Sequence, residues 1–276
     1  QMSLTEPQRA LFNLLQNQNK KVEKTLYYPG PYWDYKTKKI TYWLKKNGLD
    51  GFRSIDSAVG TSYTDGFSID FRKELGFKGR ILSSFFSLPL LNGIFKKQVD
   101  IGRSLFLEKI SLQNEILSKS EKIKSLLSKY KIENSVSFGC ADKISFKNKE
   151  YSTHYLSFLE RIDKLSSFSD FKKINSLMEI GGGYGANIHL LMQNFKNLKK
   201  IFYVDIFPNL FVGTEYLRSH FGNAVKDYSL FHDTDEIRFN DDDKLEIICI
   251  PNWALEKIKS KIDKFTNCAS FQEMEI

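Results

Sequence analysis

Two hydrophobic periods divide this chain. From residue 174 onward, short apolar runs alternate with helical-period segments. The runs are Leu177–Ile180, Ile201–Val204, Leu245–Ile250 and Lys264–Cys268, and helices are expected over Ala186–Phe195 and Leu210–Phe221. Apolar runs without alternation predict strands buried on both faces, and strands interleaved with helices predict a parallel sheet. Upstream, the 3.6-residue period dominates. Leu4–Asn17 carries apolar residues at helical spacing behind the start signals Thr5 and Pro7, and Pro29-Gly30-Pro31 opens a second helix ending near Gly48. Residues 50–80 have no clear period. Ile81–Phe95 is apolar but interrupted by Pro89 and Gly93, and too short to span a bilayer, so it predicts core or a subunit contact. Ile101–Lys131 sets Ile110, Ile116, Leu117, Ile123, Leu126 and Leu127 in helical register, which predicts one or two long helices and a candidate dimer contact. Val136–Phe146 predicts a hairpin, and Thr153–Leu165 the helix that enters the second half. The expected fold class is α/β: a mainly helical region over 1–150, then a Rossmann-like domain over 151–276.

The first strand runs into Glu179-Ile180-Gly181-Gly182-Gly183-Tyr184-Gly185, and Asp205 follows twenty positions after the last glycine, at the end of the second strand. Glycine reaches positive φ at little cost and lets a ligand lie against the backbone. The N–H groups at the following helix start favour a negative group. A carboxylate at the second strand's end can accept both hydroxyls of a ribose. These residues together predict a site for an adenosine-bearing cofactor, with Asp205 and Ile206 at the ribose. Gly181, Gly183 and Ala186 also satisfy the dinucleotide fingerprint G-x-G-x-x-A, which keeps a nicotinamide cofactor open. Glu179 two places before the first glycine and Gly185 two places after Gly183 give E-x-G-x-G-x-G instead. That pattern resembles motif I of class I S-adenosylmethionine-dependent methyltransferases.

A closer resemblance is to the bacterial sugar O-methyltransferases associated with capsule and lipopolysaccharide sugars. It rests on Met178 to Gly185, on Val204-Asp205-Ile206-Phe207-Pro208-Asn209-Leu210, on Tyr216-Leu217, and on Asn267-Cys268-Ala269-Ser270-Phe271-Gln272-Glu273-Met274, with a weaker match at Pro29-Gly30-Pro31-Tyr32-Trp33. The glycine motif marks only the superfamily, and the Ser-Phe-Gln-Glu-Met block carries the sugar assignment. The resemblance implies a class I methyltransferase sheet cut short at its C-terminus, because such sheets have seven strands and this chain stops eight residues after Cys268. It implies S-adenosyl-L-methionine as cofactor. Gly181, Gly183 and Gly185 would line the methionine portion with Tyr184 covering it, Asn252 would lie near the adenine, and Glu179, Asn267 and Ser270 would complete the cofactor edge. It further implies methyl transfer to a sugar hydroxyl, with a nucleotide-activated sugar as the expected acceptor. A sugar hydroxyl needs a general base, and the candidates are Glu273, after the fourth strand, and His154, at the start of the helix entering the second half.

Composition narrows the rest. Hydrophobic residues make up 41% of the 276, ample for a packed core. Cys140, Cys249 and Cys268 are far apart, which argues against disulfides, and no Cys/His spacing suggests zinc. The net charge of +8 comes mostly from scattered lysines without an arginine cluster, so no nucleic-acid partner is expected. Neither a signal peptide nor an eighteen-residue apolar run is evident, and a cytoplasmic protein without integral membrane contact is expected. The acids of His232-Asp233-Thr234-Asp235-Glu236 and Asp241-Asp242-Asp243 read as a solvated loop, with no metal expected. His189 and His220 read as structural, with no partner in view. Two rival functions stay open at this point: a nicotinamide-dependent oxidoreductase on the same strands, and a catalytically silent partner subunit of a methyltransferase.

Overall fold

The computed structural model describes residues 4–22, 25–53, 119–139, 143–146, 148–267 and 270. Ile81–Phe95, Cys140, Cys268, Ala269, the terminal Phe271-Gln272-Glu273-Met274 and most of Ile101–Lys131 lie outside these residues. In chain order come α1 (Glu6–Lys21), α2 (Gly30–Asn47), α3 (Ser120–Lys129), β1 (Lys143–Phe146), β2 (Lys149–Ser152), α4 (Thr153–Phe168), β3 (Ser176–Ile180), α5 (Ala186–Asn194), β4 (Lys200–Asp205), α6 (Asn209–Phe221), β5 (Val225–Lys226), β6 (Glu246–Pro251) and β7 (Lys264–Asn267). From β3 to β7 the elements begin and end within one residue of the apolar and helical runs, with the two-residue β5 as the one unanticipated strand.

The sheet is parallel throughout, in the order β5-β6-β4-β3-β7. Every residue of β4 and β6 is buried, as continuous apolar strands require. Strand order grows outward from β3 through β4 and β6 to β5, then reverses, so that β7 returns to the far side of β3. Ligands in open parallel sheets bind outside the carboxyl ends of the strands beside such a reversal. Register brings four of those ends level: Ile180 pairs with Val204 and with Asn267, and Asp205 pairs with Pro251.

The N-terminal helices pack on this framework. Thr5 caps α1, its amide donating to Gln8 Oε1 at 3.0 Å, with Pro7 in the first turn. Phe12 of α1 meets Phe207 and Phe211 edge-on at 5.3 and 5.2 Å, and Gln8 donates to Glu215 of α6 at 2.9 Å. Thr37 of α2 donates to the Phe207 carbonyl at 3.2 Å. These two helices are therefore fixed to the segment that follows Asp205. The boundary expected at residue 150 falls inside β2.

The hairpin differs from expectation. It pairs Lys143–Phe146 with Lys149–Ser152, whereas Val136–Gly139 forms turns. The cause is tertiary: Arg53 takes the carbonyls of Ser135 and Phe138, and Gly139 has φ +86°, so this stretch has no free ladder to offer. Among the described residues, no helix is long and apolar enough to cross a membrane.

Candidate functional site

The glycine turn needs its glycines. Gly181, Gly183 and Gly185 have φ of +69°, +61° and +86°, values a side chain resists. Their neighbours fill the remaining room. A Cβ on Gly181 would fall 2.1 Å from Ser270 Oγ, and one on Gly185 would fall 2.9 Å from Leu217 Cγ. The turn is closed by Gly185 N–H donating to the Gly182 carbonyl at 3.0 Å. Gly185 is also the N-cap of α5 and offers no side-chain acceptor there.

The structure brings Asp205 to this turn. Its Oδ2 accepts from Gly183 N–H at 2.9 Å and its Oδ1 from Ile206 N–H at 2.8 Å. It is 5% exposed. Burial pushes its carboxyl up to about 7, with Glu179 adding in the same direction, while the Ile206 and Gly183 amides and the Tyr203 hydroxyl oppose the rise. Glu179 curls behind the turn: it accepts from Asn187 of α5 at 2.9 Å, and a Cβ on Gly182 would come within 2.7 Å of its Oε2. On the β7 side, Asn267 donates to the Ile180 carbonyl at 3.0 Å and to Ser270 Oγ at 2.5 Å, which locks β7 onto the start of the turn. At the β6 end, Asn252 donates to the Tyr27 carbonyl at 2.9 Å, while its buried Oδ1 has no hydrogen-bond partner among the described residues.

Glu179, Gly181, Gly183, Gly185, Asp205, Ile206, Asn252, Asn267 and Ser270 thus share one edge of the sheet. Tyr184 does not cover it as expected. Its ring is 3% exposed and turns inward, 5.0 Å from the guanidinium of Arg53 and edge-on to Tyr216 at 5.0 Å, so only its backbone faces the turn. His154 stands beside it, ring centroids 6.4 Å apart, and stacks on Phe158. Glu273 lies outside the described residues.

Sequence reasoning missed Arg53. It is 2% exposed, donates to Ser135 O at 2.6 Å and Phe138 O at 3.2 Å, and is ringed by Tyr184, Tyr216 and Tyr155. Behind these rings lies His189, which is not partnerless. Its Nδ1 meets the Tyr155 hydroxyl at 2.5 Å, its Nε2 meets Gln193 at 2.8 Å, and its ring stacks on His220 at 3.7 Å. Burial holds both imidazoles low, to about 3 and about 4, so they are neutral at pH 7.

The acidic loop is split: His232 and Thr234 offer their carbonyls to Lys257, which follows the carboxyl end of β6, whereas Asp242 lies at the opposite end of the strands. Asp242 and Glu246 take the ammonium of Lys200, the first residue of β4, at 2.8 and 3.2 Å. Among the described residues no three metal-ligating side chains converge.

Tyr203 and Gly213 were also missed, and a simple test links them. A Cβ on Gly213 of α6 would fall 2.1 Å from the Tyr203 hydroxyl. Alanine for glycine inside a helix ordinarily stabilises by roughly 0.5–1 kcal/mol. Here Gly213→Ala is expected to destabilise by about 1–3 kcal/mol through overpacking, read as a lower urea midpoint. Searches against family models, curated proteins and solved structures returned no match to this chain.

Proposed function

We propose that this edge binds S-adenosyl-L-methionine and that the chain is a Rossmann-like O-methyltransferase acting on a sugar hydroxyl, with a nucleotide-activated sugar for capsule or lipopolysaccharide as the acceptor. The observation that carries the cofactor is the meeting of Gly183 N–H and the Asp205 carboxylate at the point where strand order reverses. The residues present fit the group. Among the described residues the Oδ1 of Asn252 has no hydrogen-bond partner, which suits the adenine amine. Asp205 Oδ2 holds Gly183 N–H and faces the Tyr203 hydroxyl, while Oδ1 holds one amide donor and keeps a lone pair for a ribose hydroxyl. The acceptor class rests on the resemblance of the terminal Ser-Phe-Gln-Glu-Met block.

When bound, the cofactor supplies a methyl group on a sulfonium, open to in-line displacement. The protein's share is to hold the acceptor in line with that group, which makes a bimolecular step effectively unimolecular. A base must take the hydroxyl proton as the new bond forms. His154, whose ring packs against the inward-turned Tyr184, and Glu273, which follows β7 in the sequence, are the groups proposed for it.

A thermal-shift series separates this reading from the nicotinamide one. S-adenosylhomocysteine at about 100 times its Kd is expected to stabilise by roughly 2.7 kcal/mol, a rise of about 5 °C or more in Tm, with no shift from NAD. Stabilisation by NAD alone would overturn the proposal. Incubation with labelled S-adenosylmethionine and a panel of nucleotide-activated sugars then tests the acceptor, with label in the sugar as the expected result. Cofactor binding without transfer to any sugar in the panel, gained only with a second protein present, would mark a silent subunit.

A further inference from the structure

Tyr203 lies two residues before Asp205 on β4, so both side chains project from the same face of the strand. It is fully buried, and its hydroxyl sits among three oxygens. It donates to the Gly183 carbonyl and lies 3.4 Å from Asp205 Oδ2 and 3.3 Å from the Asn209 carbonyl at the start of α6. Two glycines outside the turn's positive-φ set make room for it. A Cβ on Gly213 would strike the hydroxyl, and one on Gly182 would come within 3.0 Å of Cε2. The residue therefore touches the turn, the carboxyl and the helix start at once.

A phenol has one proton to give. Given to Gly183, it leaves Tyr203 Oη and an ionised Asp205 Oδ2 facing each other as two acceptors. A proton on Asp205 resolves this, because the carboxyl then donates to Tyr203 while Tyr203 donates to Gly183.

We propose that Tyr203 is a positioning residue of the cofactor site: it sets the spacing between the glycine turn and Asp205, and in the ligand-free chain it closes a hydrogen-bonded ring with a protonated Asp205, which cofactor binding opens with release of that proton to solvent. This rests on the S-adenosylmethionine reading of the same edge. The titratable groups facing Asp205 are Glu179 on β3 and Tyr203 itself. Burial first, and Glu179 after it, hold the Asp205 proton on to about pH 7. Ribose hydroxyls donate to a carboxylate, so cofactor affinity rises with pH through that value and levels off above it.

Tyr203→Phe keeps the ring and removes only the hydroxyl. Once Asp205 ionises, the Tyr203 hydroxyl turns its proton from the Gly183 carbonyl to Asp205 Oδ2, a charge-assisted bond stronger than the neutral one in the ring. Loss of the hydroxyl therefore moves the midpoint of the affinity profile to higher pH. At pH 7, binding of S-adenosylhomocysteine weakens about tenfold, the loss of one hydrogen bond to a charged group. The experiment is calorimetric titration of S-adenosylhomocysteine into the wild type and Tyr203→Phe across neutral pH, repeated in buffers of different ionisation enthalpy to count protons released. Weaker binding with a raised midpoint, and about one proton released by the wild type near pH 6, is the expected result. Equal affinity with an unmoved midpoint would overturn the proposal. So would a lower Tm alone, since a merely structural tyrosine leaves the pH profile in place. A wild type that binds no S-adenosylhomocysteine at any pH sinks the cofactor reading itself, a different failure from a wild type that binds as its Phe variant does.

Discussion

Asp205→Asn is expected to make the ligand-free chain more stable at pH 8 and to cut its affinity for S-adenosylhomocysteine at least about 100-fold. Both effects come from one buried carboxyl. Its folded value, about 7, lies above the ordinary 3.8. The sign follows from linkage. The stability it contributes is fully present below 3.8 and is lost as pH rises, the loss being complete above about 7. The size is on the order of 4–5 kcal/mol, because each pH unit between the two values is worth about 1.4 kcal/mol. Asparagine carries no charge to bury, keeps an acceptor for the amides of Gly183 or Ile206, and escapes that loss. A net gain of about 1–2 kcal/mol at pH 8, shrinking to nothing near pH 4, is the expected pattern in thermal melts. The affinity loss arises because a neutral amide oxygen accepts a ribose hydroxyl weakly, where a carboxylate accepts it with charge assistance. A less stable Asp205→Asn at pH 8 would contradict the buried carboxyl. Undiminished affinity would contradict its contact with the cofactor.

Arg53→Met is expected to destabilise the chain by about 3–4 kcal/mol, enough to unfold much of a marginal domain. Arg53 is a cation held by two backbone carbonyls and three aromatic faces, and its Nε has no hydrogen-bond partner among the described residues. Methionine fills similar length but leaves the Ser135 and Phe138 carbonyls buried without donors, each costing about 1–3 kcal/mol. It also removes the cation from Tyr184, Tyr216 and Tyr155. Arg53→Lys keeps the charge without the planar fork and should recover only part of the loss. Because the Tyr184 ring is one wall of this cluster, the damage reaches the glycine turn: whatever Arg53→Met remains folded should bind S-adenosylhomocysteine more weakly. Urea unfolding and calorimetry on the same sample check both parts, and an unchanged urea midpoint would refute the argument.

The difference between what could be read in the sequence and what could not is one of range. Strands β3, β4 and β6 were legible because burial on both faces writes itself as a continuous apolar run, and the turn because only glycine takes its dihedrals. Asp205 was legible from its place at the end of β4. Val136–Phe146 misled because Val136 and Phe138 alternate with Ser137 as a strand would, while the residue that disposes of their backbone, Arg53, is 82 positions from Ser135. The inward turn of Tyr184 and the partners of His189 were hidden for the same reason, since Arg53 and Tyr155 come from distant segments. Tyr203 left a local trace that could have been followed: it sits two places before the acid on a strand, hence on the same face. Gly182 and Gly213 are the answering signal, glycines needed for what lies under them.

The central claim is that this edge holds an adenosine-bearing sulfonium cofactor, and calorimetric titration of S-adenosylhomocysteine into the wild-type chain at pH 8 tests it most directly. The account predicts one site per chain with a Kd on the order of micromolar, about −8 kcal/mol. Absence of binding by a chain that melts cooperatively would contradict it.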